Sequence, residues 1–346
     1  MNIIELHILQ SFPVSCLNRD DLGSPKSAYF GGVRRARISS QCLKRAQRDL
    51  FKKFAPEFAQ GERTKLLTTA FKELIAKREG VDEKLAETLA AAWGKLDAKK
   101  KDANGNSKAT TLTFLSPQEM DVMLNAALTC ESGDKEIAKK AMKALKGVAV
   151  KDAADIAMFG RMVADDASLS VEGAAMYSHA LSTHRAEPEV DFYAAVDDLQ
   201  PEDETGAGMT GVLEFNSACY YRYIAVNLDL MEENLKGLTA DEMKKVLDAF
   251  LRSALETVPS ARRNSMNAST RPGYVLGLRR SVGHPMQLVN AFEKPVSTMG
   301  GYLAQSREAL GKEWSEMQNK WGMKADCMVE LPDASENEFI AKLLEY

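Results

Sequence analysis

The opening heptapeptide "IIELHIL", residues 3–9, alternates. Ile4, Leu6 and Ile8 fall on one face and Glu5, His7 and Leu9 on the other, the period of a strand buried on one side. A long loop follows, "SFPVSCLNRDDLGSPKSAYFGG", punctuated by Pro13, Gly23, Pro25 and the Gly31-Gly32 pair. The period then turns helical: Leu43, Ala46 and Leu50 recur at three- and four-residue intervals behind Ser39 or Ser40, either of which is a good N-cap. From about Glu62 to Trp93 the pattern stays helical, with Leu66, Leu67, Ala70, Phe71, Leu74 and Ile75 on one face and a break at Gly80. "KLDAKKKDANGNSK" reads as an exposed loop. "SPQEMDVMLNAAL" starts a further helix, with Ser116 as cap, Pro117 in the first turn and Glu119 completing a capping box. Residues 62–147 therefore read as a helical insertion of their own.

Beyond "DIAMFGRM" and "GAAMYSHALSTH", two β-prone runs flank Pro201, Gly206, Gly208 and Gly211, the pattern of a long hairpin. The second run alternates Tyr221, Tyr223 and Ala225 with Arg222, Ile224 and Val226. A helix from Thr239 to about Val258 has Glu242 to close its capping box, "YVLGLRR" (274–280) reads as a strand, and the tail reads as helical. This order of strand, helix, inserted helices, strand, helix and strand predicts an α+β protein with a ferredoxin-like core and large insertions.

With 346 residues, 45% of them hydrophobic and 27% charged, the chain can bury a sizeable core. No basic leader opens it and no apolar run approaches the roughly 18 residues of a membrane span, which predicts a soluble, cytoplasmic protein with no membrane partner. Five cysteines are scattered with no C-x-x-C spacing; this suits a reducing compartment and argues against disulfides and a zinc site.

Charge changes the picture more. The formal net charge of -4 hides a stretch from Arg19 to Lys53 with ten Lys or Arg against three Asp, while Glu187 to Glu204 holds eight acids and no base. On the basic helix Lys44 and Arg48 lie four apart, and Arg45 and Lys52 extend the series. Like charges at that spacing repel by about a few tenths of a kcal/mol per pair, which a polyanion would relieve. Unpaired N–H groups at the helix start, beside Ser39, Ser40 and Gln41, are natural phosphate ligands. A solvated basic face is the alternative; the "RRAR" approach, the hydroxyl pair and the Gly-Gly turn favour phosphate binding.

"SCLNRDD", "FGG-RR-RISSQ-LKRA-R", "FGRM", "SHALSTH", "AVDDLQ", "YYRY--VNL" and "NAFEK" stand in the order found in the CasC family, the crRNA-binding backbone subunits of type I-E CRISPR Cascade complexes, which this sequence closely resembles. The resemblance runs to about residue 296 and is looser in the helical insertion and the last fifty residues. It implies an RRM-like palm (1–57, 176–187 and 222–346, the last with a C-terminal helix), a helical fingers insertion (58–175) and a thumb hairpin (188–221). It also implies a non-catalytic scaffold. Copies polymerise head to tail along crRNA beside other Cascade subunits, grip its backbone without sequence preference and present it to a target DNA strand. Carried over by motif, RNA contacts fall on Arg19, Lys26, Arg37, Ser39, Gln41, Lys44, Arg45, Arg48, Arg161, Met162, Tyr193 and Val196. Core packing is the alternative for Met162 and Tyr193, and a solvated loop the alternative for Asp197 and Asp198, which could otherwise face the basic palm of the next copy. Val33 stands where a basic residue is common in the family, so one backbone contact is in question. The aromatic signature of base-reading RRM domains is absent, "YFGG" being a faint echo, in keeping with backbone gripping.

No catalytic constellation emerges. His179 and His184 are five apart, on different faces of a helix; Asp197-Asp198 is a loop pair; Ser40 and Lys44 miss the S-x-x-K spacing by one; and "GGVRRARIS" lacks the Lys-Ser/Thr of a P-loop. No cofactor and no metal are expected. The competing function is a metal-dependent RNA endonuclease on a related fold.

Overall fold

The structure is a computed structural model that describes residues 1–346 except 132, 164–165, 200–207, 298–299 and 346. The chain opens with β1 (Ile3–Ser15), β2 (Ser27–Phe30), β3 (Val33–Ile38) and α1 (Ser40–Phe54). Next come β4 (Glu62–Thr64), α2 (Leu67–Ile75), α3 (Lys84–Trp93), β5 (Leu96–Lys101), β6 (Ser107–Ala109), β7 (Thr113–Leu115), α4 (Pro117–Leu128), α5 (Asp134–Leu145) and α6 (Ala154–Phe159). The remainder is β8 (Ala175–Tyr177), β9 (Ala180–Ser182), β10 (Glu189–Ala195), β11 (Met209–Asn227), α7 (Leu228–Asn234), α8 (Ala240–Glu256), β12 (Tyr274–Arg280), α9 (Leu303–Trp321), β13 (Cys327–Leu331) and α10 (Glu336–Leu344).

Two compact units result. The first comprises residues 1–50, 176–228 and 251–346, the second 51–175 and 229–250. Residues 229–250, which the sequence reading assigns to the palm, thus cluster with the second unit.

The first unit is built on a sheet of order β13-β12-β1-β11-β9-β3-β2, in which each neighbouring pair with a described register is antiparallel. β1 lies between β11 and β12 and is covered on both faces. Its odd positions Ile3 and Leu9 join Tyr221, Tyr223, Leu276 and Leu278 under Leu310 and Trp314 of α9. On the other face Phe12 packs with Ala36, Ile38, Leu43 and Tyr220. The expectation of a half-exposed β1 is therefore corrected: Glu5 and His7 are fully buried. Their polarity is met inside. Glu5 accepts from Tyr223 Oη (2.6 Å), the Met286 N–H (2.7 Å) and Arg280 Nε (2.5 Å), and Tyr221 Oη lies 2.9 Å from His7 Nδ1. Burial pulls the His7 imidazole down to about 4, so it is neutral. Arg222 on the opposite face is equally buried and donates to Gln10 and to the Ala254 carbonyl.

In the second unit the core gathers Leu67, Phe71 and Ile75 of α2, Leu89 and Trp93 of α3, Met123 and Leu124 of α4 and Leu145 of α5. Ser116 and Glu119 form the expected capping box on α4. The lysine segment differs from expectation: β5 and β6 pair as a hairpin, and Asp102 accepts from the Asn104 and Asn106 N–H groups (2.9 and 2.8 Å) to shape its turn. Four of the six β5 residues are exposed, so no alternation of apolar residues marks the strand. β13 also interrupts the tail expected to be helical.

Candidate nucleic-acid interface

In the first unit, β3 and the start of α1 are stitched to the loop that follows β1. The Asn18 carbonyl accepts from the Lys26 N–H (2.8 Å), the Lys26 carbonyl from the Arg37 N–H (2.9 Å), and Asn18 Oδ1 from the Ser39 N–H (2.9 Å). Ser39 is the N-cap of α1, its Oγ accepting from the Cys42 N–H at 3.3 Å. Among the described residues the N–H groups of Ser40 and Gln41 make no hydrogen bond, so the first turn keeps donors for an outside acceptor.

Basic side chains surround this turn, and "RRAR" divides them by strand period. Arg35 is fully buried and donates to the carbonyls of Phe30, Ser182, Phe292 and Glu293. It therefore joins "FGG-RR" to "NAFEK". Gly31 makes that junction possible, because at its φ of +60° an added Cβ would lie 1.7 Å from the Glu293 carbonyl oxygen. Arg34 is held by Ser27 Oγ (3.1 Å) and Glu187 (3.5 Å). Arg37 is half-buried, fixed by the Ser27 carbonyl (3.2 Å) and by His179 Nδ1 (3.1 Å).

Lys44 extends its ammonium over the Tyr177 ring, 5.2 Å from the centroid, and partial burial lowers its pKa. Tyr177 Oη donates to Gln47 Oε1 (2.9 Å), and Gln47 Nε2 donates to Ser253 Oγ (3.2 Å), so the platform under Lys44 is braced. Arg19, Gln41 and Arg45 are exposed, and Lys26 and Arg48 half-buried. Among the described residues Arg19, Lys26, Arg37, Lys44 and Arg45 form no ion pair with a carboxylate; Arg48 meets Asp49 at 3.8 Å. Their fields reach shared neighbours. Lys26 and Arg45 both oppose the burial that raises the Cys42 thiol, and Arg37 and Lys26 both act on His179.

The ribbon of β10 and β11 pairs Glu189 with Phe215 through to Ala195 with Met209. Tyr193 lies across Gly211, where an added Cβ would come within 2.5 Å of its ring. It is 42% exposed, and Val196 is exposed beyond the paired residues. Asp197 caps a turn through the Leu199 N–H (3.0 Å), while Pro201 and Gly206 of the expected turn lie outside the described residues.

Arg161 and Met162 belong to the second unit and are opposites. The Arg161 guanidinium is buried, 2.7 and 2.8 Å from the two Glu119 oxygens, bonded to the Phe114 and Leu169 carbonyls and set over Trp93. Its charge is matched within the fold by Glu119. Met162 is 88% exposed, so the core-packing alternative fails for it.

Asn18, Gln47 and Tyr177 are not expected at this site from the sequence, and His179 is weighed there only with His184 as a pair on a helix; the segment is instead extended, with β8 and β9 on either side of His179, so Tyr177 and His179 stand two residues apart along it.

A family model described as CT1975-like protein matches residues 4–344. The chain belongs to that family. No curated protein matches it. Among solved structures, this CT1975-like chain is similar to a chain of a CRISPR RNA-guided surveillance complex in a pre-nicking state, at 29% identity and a TM-score of 0.79 over 93% of this chain and 90% of that one. It also shares its fold with a chain of a second CRISPR RNA-guided surveillance complex, at 23% identity and a TM-score of 0.61 over 99% and 96% of the two chains. Among the described residues no helix is long and apolar enough to cross a membrane, and no three His, Cys, Asp or Glu side chains cluster as metal ligands.

Proposed function

We propose that this protein is a non-catalytic backbone subunit of a CRISPR RNA-guided surveillance complex of the type I-E Cascade kind, polymerising head to tail along crRNA and presenting it to a target DNA strand. One observation carries the reading: Lys26, Arg37, Lys44 and Arg45 lie about the open first turn of α1, and among the described residues none of them has a carboxylate partner. Such an array recognises a sugar-phosphate chain and carries no pattern for reading bases. Arg19, Ser39, Gln41 and Arg48 complete the proposed contacts, with Met162, Tyr193 and Val196 as apolar ones. The strand order β12-β1-β11-β9, with α1 between β1 and β9 and α8 between β11 and β12 along the chain, supports a palm of the split βαβ kind by its chain order alone. The β10–β11 ribbon supports the thumb.

Single-stranded RNA binding over a salt series tests the proposal. Each phosphate neutralised contributes about 0.7 to the slope of log affinity against log salt. Lys44→Ala with Arg48→Ala is expected to lower that slope by about 1.4; an unchanged slope removes both from the contact set. Cleavage of labelled repeat-spacer RNA that is abolished by EDTA would instead establish the endonuclease.

A further inference from the structure

Tyr177 and His179 each meet a cation of this surface, Lys44 and Arg37 respectively. The second contact fixes a proton. A guanidinium can only donate, so His179 Nδ1 accepts from Arg37 Nη1 and the neutral ring carries its hydrogen on Nε2. His179 is exposed, and among the described residues nothing accepts from that Nε2–H.

We propose that His179 is a phosphate ligand of this surface, donating Nε2–H to a backbone oxygen beside Arg37 and Lys26, and that it takes up a proton when the strand binds. The inference rests on the backbone-gripping reading and extends it to a residue whose role is coupled to pH. In the free protein burial, then Arg37 on β3, then Lys26 on the preceding loop hold the imidazole below its usual range; no carboxylate among the described residues acts on it. A bound phosphate supplies the missing negative charge and raises the pKa in the complex. Between the free and bound values the complex holds a proton that the free protein lacks, so affinity rises as pH falls through that window and is flat above it. Protonated Nδ1 no longer accepts, which releases Arg37 Nη1 toward the same phosphate.

The probe is a 5′-hydroxyl oligouridine, which has no group titrating between pH 5.5 and 7.5, bound to the full chain at fixed salt. Wild-type affinity is expected to increase about 5-fold or more between pH 7.5 and 5.5, with proton uptake seen by calorimetry in buffers of different ionisation heat. His179→Gln keeps a neutral donor but has no group that can take up a proton, so the acid gain and the proton uptake should disappear whatever its affinity at pH 7.5. An equal pH response in wild type and His179→Gln overturns the assignment while leaving the gripping surface intact. Absence of any salt-dependent binding by the wild type overturns both.

Discussion

At the residue scale, burial separates two arginines from the cations that face outward. Arg35 ties the β2–β3 turn to the segment before α9, and Arg161 holds the turn that projects Met162, whose backbone is clamped by mutual N–H to carbonyl bonds between Arg161 and Val171 (2.9 and 2.8 Å). Glu119, partner of Arg161, also closes the capping box of α4, so one carboxylate serves a helix end and an ion pair. Removing one partner of a buried pair leaves the other charge stranded, which costs about 3–5 kcal/mol, whereas removing both together is far milder. Arg161→Met is therefore expected to lower the urea midpoint sharply, and adding Glu119→Gln to restore much of the loss. In protein that remains folded, the salt slope of RNA binding should match wild type for Arg161→Met. A slope lower by about 0.7 would mean that Arg161 neutralises a phosphate after all.

At the element scale, the β10–β11 ribbon assigns its faces by register. Tyr193 pairs with Gly211, and the glycine leaves room for the ring to lie across it. Stacking of one base on an aromatic side chain is worth about 1–3 kcal/mol and carries no counterion term. Tyr193→Ala is expected to weaken RNA binding by about that much without changing the salt slope; a fall in slope would contradict a stacking role. Gly211→Ala, by displacing the ring, should give the same phenotype at intermediate strength. Elements of this kind were legible in the sequence where their signals are local. The boxes Ser116–Glu119 and Thr239–Glu242 and the strand Tyr274–Arg280 depend on residues within a few positions of one another. The second covering layer of β1 comes from Leu310 and Trp314, some three hundred residues away, so Glu5 and His7 read as a solvent face. Likewise "RRAR" looks uniform until Ser182, Phe292 and Glu293 supply carbonyls for Arg35 alone. The basic character of the site was local and readable; its division into buried, paired and open cations depended on long-range packing.

At the scale of the whole molecule, the other face of the same ribbon carries Phe192 directly opposite Val212, with Val190 beside them; the three are 66%, 65% and 67% exposed. A two-stranded ribbon alone in water is marginal, and an uncovered apolar stripe on it calls for a covering surface. In the head-to-tail assembly proposed above, the next copy would supply that surface, and assembly and the Tyr193 contact would then use opposite faces of one element. Phe192→Ser with Val212→Ser is expected to leave binding to an RNA long enough for one copy within about 2-fold of wild type, because the cations around α1 are untouched. On longer RNA the wild type should form particles whose mass rises in steps of one chain with RNA length, and the double variant should lose those steps. Light scattering coupled to size-exclusion chromatography reads both. Equal ladders from the two proteins would show that this face takes no part in self-association, and a matching loss of affinity on the short RNA would assign Phe192 and Val212 to the RNA-contacting surface instead.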